Sequence, residues 1–317
     1  MKIVILDYKT LGDDLDLSPF DKLGEVTKYP YSSSDEAKIR IADAEVVVLN
    51  KTALTAEVLA QAKKLKLICK TATGYDNVDV DYCKAHGITL TNTPAYSTDS
   101  VAQVTVAMAC SLLTKLDAYR NHVHSGEYFN SPSANKLTPF YHEFSSLTWG
   151  IVGFGNIGRQ VSKVAIALGC KVLAYSRRQQ KCEGVEHVSL NQLLTKSDII
   201  SIHCPLTQET QGLIGKAQIA QMKNTVTLIN VARGAVWDEE AVADALLDNR
   251  IGAIGCDVFT QEPLTASHPF AKILKCDNAL LTPHMAWGSV QSRQKCMNMV
   301  MDNIKAFFNG NPTNVVC

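Results

Sequence analysis

The chain carries no formal net charge. Its 317 residues hold 31 lysines and arginines against 31 aspartates and glutamates. That balance gives nucleic acid or an anionic membrane surface little to hold, so neither is expected as a partner. No apolar run approaches the roughly 18 residues of a membrane span. The opening "MKIVILDYKT" has no long apolar core followed by small residues, and is expected to be a first strand rather than a signal peptide. There are ten cysteines but no CxxC pair, and no ligand spacing that suits zinc. Several sit inside apolar runs (Cys69, Cys110, Cys170, Cys256), where a thiol behaves as a small hydrophobe. Reduced structural thiols in a cytoplasmic protein are therefore expected.

What is present is an alternation. "KIVILD" (2–7), "EVVVLN" (45–50), "LKLICK" (65–70) and "GITLTN" (87–92) are short apolar runs separated by polar helical stretches such as "SSDEAKIRIADA". This pattern predicts parallel strands covered by helices on both faces. Residues 97–120 then run without glycine or proline. They predict one long buried helix, with Ser97 or Asp99 as its cap. An irregular polar stretch, 121–147, follows. A second alternating series has strands at 148–155, 170–176, 197–204, 225–230, 251–258 and 278–283, and a last helix over 288–308. The expected architecture is α/β, with two Rossmann-like doubly wound parallel-sheet domains.

The segment Gly153-Phe154-Gly155-Asn156-Ile157-Gly158 lies between an apolar strand and a helix free of glycine and proline. In that context G-x-G-x-x-G reads as a dinucleotide loop. Gly153 allows the tight turn, Gly155 lets a pyrophosphate approach the backbone, and Gly158 lets the helix pack against the sheet. The next strand should end in an acid that binds the ribose hydroxyls and repels a 2′-phosphate. It ends instead in Ser176, Arg177 and Arg178. A hydroxyl beside two guanidiniums suits a phosphate monoester. The expected cofactor is NADP(H), favoured over NAD(H).

Three later segments each set a polar residue just past a strand, where open α/β sheets bind ligands. They carry Arg233, then Asp257 and Glu262, then His284. A guanidinium can bind a substrate carboxylate and polarise a carbonyl. An imidazole can deliver a proton as hydride reaches the carbonyl carbon, and a neighbouring carboxylate fixes its tautomer and favours its charged form. Arg233, Glu262 and His284 thus describe hydride transfer to a 2-oxoacid.

Nearly the whole chain resembles the D-isomer-specific 2-hydroxyacid dehydrogenases. The resemblance runs through "ATGYDNVDV", "NTPAYSTDSVAQ", "GIVGFGNIG", "HCPLTQETQGLI", "INVARGAVWDEEAVADAL", "GCDVFTQEP" and "LTPHMAWGS". It implies Arg233, Glu262 and His284 as the catalytic triad, with Arg233 and His284 also touching substrate. It implies that the backbone of Thr73, Gly74 and Tyr75 holds the substrate carboxylate, and that Asp257 bonds the nicotinamide carboxamide. It places His203, Cys204 and Pro205 near the adenosine and Val231 and Ala232 near the nicotinamide. It also implies a discontinuous substrate domain (1–98 and 287–317) around a nucleotide-binding domain (99–286), and a homodimer. Ser176 departs from the acid of the NADH-preferring members and resembles the NADPH-preferring reductases. For the substrate side chain the candidates are Asn50, Lys51, Tyr75, Tyr96 and Trp287. Glyoxylate, hydroxypyruvate or another small 2-oxoacid is expected rather than a phosphorylated one. The alternative on the same fold is an NAD(H)-sensing, corepressor-like binding protein.

Overall fold

The computed structural model describes residues 1–178 and 180–317. The chain divides into two compact units, Met1–Ser97 with Gly288–Cys317, and Thr98–Trp287.

The first unit starts with β1 (Lys2–Ile5), β2 (Glu25–Lys28), α1 (Ser34–Arg40), β3 (Val46–Leu49), α2 (Ala56–Leu59), β4 (Leu67–Lys70), α3 (Val80–Ala85) and β5 (Thr89–Thr91). Its five strands lie in the order β2-β1-β3-β4-β5, all parallel. Strands β3 and β4 are buried along their whole length. That explains their mostly apolar sequences, since helices cover both faces of a parallel sheet. The order reverses between β1 and β3, and Asp7 stands at that point, 2% exposed. Its carboxylate accepts hydrogen bonds from the amides of Asn50, Lys51 and Thr52 and from the Thr52 hydroxyl. Those four donors tie the end of β1 to the loop after β3.

The second unit contains α4 (Thr98–Thr114), α5 (Leu116–His124), β6 (Thr148–Val152), α6 (Asn156–Ala167), β7 (Lys171–Tyr175), β8 (Val185–His187), α7 (Leu190–Lys196), β9 (Ile199–Ile202), α8 (Lys216–Ile219), β10 (Thr227–Asn230), α9 (Glu239–Leu247), β11 (Ala253–Cys256) and β12 (Ala279–Leu281). The parallel order is β12-β11-β10-β9-β6-β7-β8. Chain direction across the sheet therefore reverses between β6 and β9, and the crevice beyond their C-terminal ends is where such sheets bind ligands. The chain then returns to the first unit, whose last helix is α10 (Val290–Phe308), capped by the Ser289 hydroxyl. Among the described residues no single helix is long and apolar enough to cross a membrane.

Two features differ from the sequence expectation. The helix over 97–120 is not continuous. It breaks at Lys115, which is left-handed (φ 56°), and α4 and α5 meet at 64°. Just before the break the Thr114 hydroxyl bonds back to the Cys110 carbonyl, a contact that bends helices. Val101, Ala102, Met108, Ala109 and Leu112 of α4 are buried, whereas α5 buries none of its residues. Strands β2 and β8 also lie where the sequence pattern predicts none. Both are short edge strands that are only half-buried, so they lack the apolar run that marks an interior strand.

Candidate active site

The glycine loop connects β6 to α6 at the sheet's reversal point. Gly153 has φ +96°, a conformation that a side chain disfavours. A Cβ there would also press on the Cys204 amide and lie 2.7 Å from the His203 carbonyl carbon. The loop after β9 thus packs directly on the loop after β6. A Cβ on Gly158 would meet the Gly153 carbonyl oxygen. Gly155 differs, since nothing lies within 4 Å of its Cβ position. It is also the N-cap of α6 and supplies no side-chain cap, whereas α1, α2, α3, α7, α9 and α10 each have one. An uncapped helix N-terminus facing open space fits the pyrophosphate of a nicotinamide dinucleotide. Ile157 packs against the core below. Asn156 Oδ1 accepts from Arg159 Nη2 at 2.9 Å, and Arg159 Nη1 donates to Gln180 Oε1 at 2.9 Å. Arg159 therefore clasps the loop to the segment after β7. It escaped the sequence reading, although its place in the first turn of α6 could have drawn attention to it.

At the end of β7 the Ser176 hydroxyl donates to the Arg178 carbonyl at 2.8 Å. Arg177 does not stand alone, because its Nη1 lies 3.0 Å from Glu209 Oε2. Arg178 is exposed. His203 follows β9, with Nε2 2.9 Å from the Ser201 hydroxyl, which accepts from Trp149 Nε1. Burial pushes the His203 pKa down to about 3, so its ring stays neutral. Pro205 is exposed, and its carbonyl accepts from Thr210. After β10, Asn230 pins the next turn. Its side chain accepts from the Ala232 amide and donates to the Arg233 carbonyl. Val231 inside that turn is 8% exposed.

Three neighbouring strands, β10, β11 and β12, deliver Arg233, Asp257 and His284 at their C-terminal ends. A Cβ on Gly234 would collide with the Phe259 carbonyl carbon and the Thr260 nitrogen. That close approach seats the half-buried Arg233 beside the backbone of the loop that carries Glu262. Glu262 accepts from the Phe259 amide at 3.1 Å and meets His284 Nδ1 at 2.7 and 2.9 Å. The two side chains are 29% and 25% exposed, so the pair is formed yet open to a ligand. Nδ1 turned to the carboxylate fixes the ring's orientation and points Nε2 away from Glu262.

His284 sits at φ +52°, a strained backbone for a non-glycine residue. Asp257 holds it there. Only 1% exposed, its carboxylate accepts from the Thr282 hydroxyl at 2.6 Å and from the amides of Met285 and Ala286, both at 2.9 Å. The Ser100 hydroxyl fixes the Ala286 carbonyl. Burial raises the Asp257 pKa, and these three donors oppose that rise. The resemblance assigns Asp257 to the nicotinamide; in the structure its hydrogen bonds go to the His284 loop. A second buried carboxylate, Glu239, accepts from the amide and hydroxyl of Thr260 and lies 3.0 Å from His268 Nε2. It braces the loop leading to Glu262. Sequence reading missed it, because a glutamate in the first turn of a helix normally faces solvent.

In the first unit, Thr73, Gly74 and Tyr75 follow β4. The Thr73 hydroxyl donates to the Thr93 carbonyl, and the Thr73 carbonyl accepts from Asn92. Among the described residues the amides of Thr73, Gly74 and Tyr75 have no hydrogen-bond acceptor, which leaves three successive donors for a carboxylate. Tyr75 is 37% exposed. Of the candidates for the substrate side chain, Asn50 is buried with its amide on Thr10, so it serves the fold. Tyr96 is buried too, Trp287 is half-buried and Lys51 is exposed. Among the described residues no group of three or more His, Cys, Asp or Glu could hold a metal ion.

Comparison with known proteins adds an independent finding. Residues 106–286 match the family described as D-isomer specific 2-hydroxyacid dehydrogenase, NAD binding domain. A hydroxypyruvate reductase of Blautia hydrogenotrophica is 36% identical over 323 positions, covering 100% of this chain and 99% of that protein. Among solved structures, an acyclic imino acid reductase (Bsp5) in complex with NADPH and D-Arg superposes with a TM-score of 0.87 at 28% identity, covering 100% of both chains. A D-lactate dehydrogenase from Aquifex aeolicus, complexed with NAD and lactic acid, also gives 0.87, at 30% identity, over 98% of this chain and 96% of that one.

Proposed function

The chain belongs to the D-isomer-specific 2-hydroxyacid dehydrogenase family, and we propose that it reduces glyoxylate, hydroxypyruvate or a related small 2-oxoacid, with NADP(H) favoured over NAD(H). The observation that carries the chemistry is the His284–Glu262 pair, 2.7 Å apart, with the His284 loop held by Asp257. A bound nicotinamide supplies the hydride. Arg233 takes the substrate carboxylate and polarises the carbonyl, and His284 Nε2 gives its proton to the carbonyl oxygen as carbon is reduced. Glu262 keeps the Nδ1 proton and with it the ring's orientation. In the oxidative direction His284 Nε2 takes the hydroxyl proton back. The three unbonded amides at 73–75 support a carboxylate-binding role for that loop.

The absence of an acid at position 176 and the guanidiniums of Arg177 and Arg178 support the NADP(H) preference. A homodimer is supported by the apolar side chains that the second unit leaves in water, notably Leu116 (56% exposed), Phe129 (86%), Leu137 (70%) and Phe140 (78%). Ten free cysteines support a cytoplasmic, reducing setting. The test of the assignment is His284→Ala. It should lower kcat on the order of 10²- to 10⁴-fold, with NADPH binding by fluorescence titration retained. A variant that stays active would show that the proton comes from elsewhere.

A further inference from the structure

The ion pair at the end of β7 has a consequence for which dinucleotide binds. Arg177 is one of the two arginines that the end of β7 offers a 2′-phosphate, and its guanidinium already lies 3.0 Å from the Glu209 carboxylate. Glu209 comes from a different loop, 32 residues further along the chain. That loop is pinned. The Thr207 amide donates to the Thr210 hydroxyl, which donates to the Pro205 carbonyl, and the amides of Thr210 and Gln211 donate back to the Thr207 carbonyl. The same loop begins at His203 and Cys204, whose backbone packs on Gly153. Glu209 is therefore carried on a turn tied to the dinucleotide loop. The pair itself is loose, with side chains 73% and 67% exposed. Exposed pairs of this kind are weak and can exchange partners.

We propose that Glu209 is a specificity-determining residue. It competes with the 2′-phosphate for Arg177, so that NADP(H) must displace a carboxylate to bind whereas NAD(H) leaves the pair in place. In effect, the acid missing from the end of β7 is supplied from the loop after β9. It acts by occupying the arginine rather than by bonding the ribose. The enzyme's selectivity between the two dinucleotides is then held below what Ser176, Arg177 and Arg178 would give by themselves. This inference rests on the reading that the 2′-phosphate meets Arg177.

Titration calorimetry with NADP⁺ and NAD⁺ on the full chain tests it directly. In Glu209→Gln, which keeps the side-chain shape, the ratio of affinities (NADP⁺ over NAD⁺) should rise on the order of three- to tenfold, the range expected for removing one exposed charge beside a phosphate. That gain should shrink to less than half when 0.5 M salt screens the charges. It should shrink likewise when Glu209→Gln is made in an Arg177→Ala background. An unchanged or lower ratio in Glu209→Gln overturns the proposal, and so does a gain that is undiminished without Arg177. The cofactor preference fails separately: a wild-type ratio below one sinks it, while the change caused by Glu209→Gln still reports on Glu209. If Arg177→Ala leaves the wild-type ratio unaltered, the phosphate does not meet Arg177 and the role of Glu209 falls, whichever dinucleotide the wild type prefers.

Discussion

The C-terminal ends of β10, β11 and β12 and the C-terminal end of β7 belong to one sheet and are built in opposite ways. At the first, every functional side chain is braced. Asp257 is sealed from water with three donors on its carboxylate, His284 is held at a positive φ, and Glu262 is fixed by a backbone amide. At the second, the half-buried Ser176 is followed by the exposed Arg177 and Arg178, and the Arg177–Glu209 ion pair is open to solvent. The difference follows from the tasks proposed for them. A proton donor must meet a reacting atom within a few tenths of an ångström, so rigidity is useful. A site that tells one dinucleotide from another by a single phosphate can be set by charges that move, and can be reset by one substitution.

This contrast predicts large effects at the braced end and small ones at the open end. The largest is expected for Arg233→Lys, which keeps the charge but loses the planar fork. kcat/KM for a 2-oxoacid should fall on the order of 10²-fold or more, measured by steady-state kinetics; a loss under fivefold would mean that Arg233 does not grip the substrate. Next comes Asp257→Ala, which strands the amides of Met285 and Ala286 and the Thr282 hydroxyl. It should cost about 2–4 kcal/mol in urea unfolding and lower kcat as His284 loses its support. Unaltered kcat would show that the loop holds its shape without Asp257.

A smaller effect concerns acid stability. Folding lowers the His203 pKa from its ordinary 6.5 to about 3. Between those values the unfolded chain binds a proton that the folded chain does not, so this contribution to stability is complete above pH 6.5 and is lost as pH falls toward 3. His203→Gln should therefore show a flatter fall in Tm between pH 7 and pH 4 than the wild type. Parallel curves would place the acid sensitivity elsewhere. The smallest effect is at the open end, where Arg177→Ala should cut the NADP⁺-over-NAD⁺ affinity ratio by about three- to tenfold. An unchanged ratio would remove Arg177 from the choice between the two dinucleotides.

How much of this could be read from the amino acids alone depended on where the signal lay. Interior strands such as β3, β4 and β9 announce themselves, because burial on both faces demands a mostly apolar run. The glycine loop is equally legible, since Gly153 and Gly158 sit where backbone presses on backbone. The edge strands β2 and β8 carry no such signal. Neither does the bend at Lys115, which arises inside a segment with no glycine or proline and reflects burial of α4 but not α5. Arg177 could be noticed, but not its partner, because Glu209 approaches only after the chain has crossed α7 and β9. Asp257 was noticed through its motif, while the donors on its carboxylate come from a loop 25 to 29 residues away.

The braced residues are proposed to reduce a small 2-oxoacid. The direct measurement is the loss of absorbance at 340 nm from NADPH, and separately from NADH, over a panel of glyoxylate, hydroxypyruvate, pyruvate and larger 2-oxoacids. Turnover of at least one small 2-oxoacid is expected, faster with NADPH at equal subsaturating concentration. Turnover only with NADH would contradict the cofactor assignment, and dinucleotide binding with no turnover of any 2-oxoacid would contradict the enzymatic reading itself.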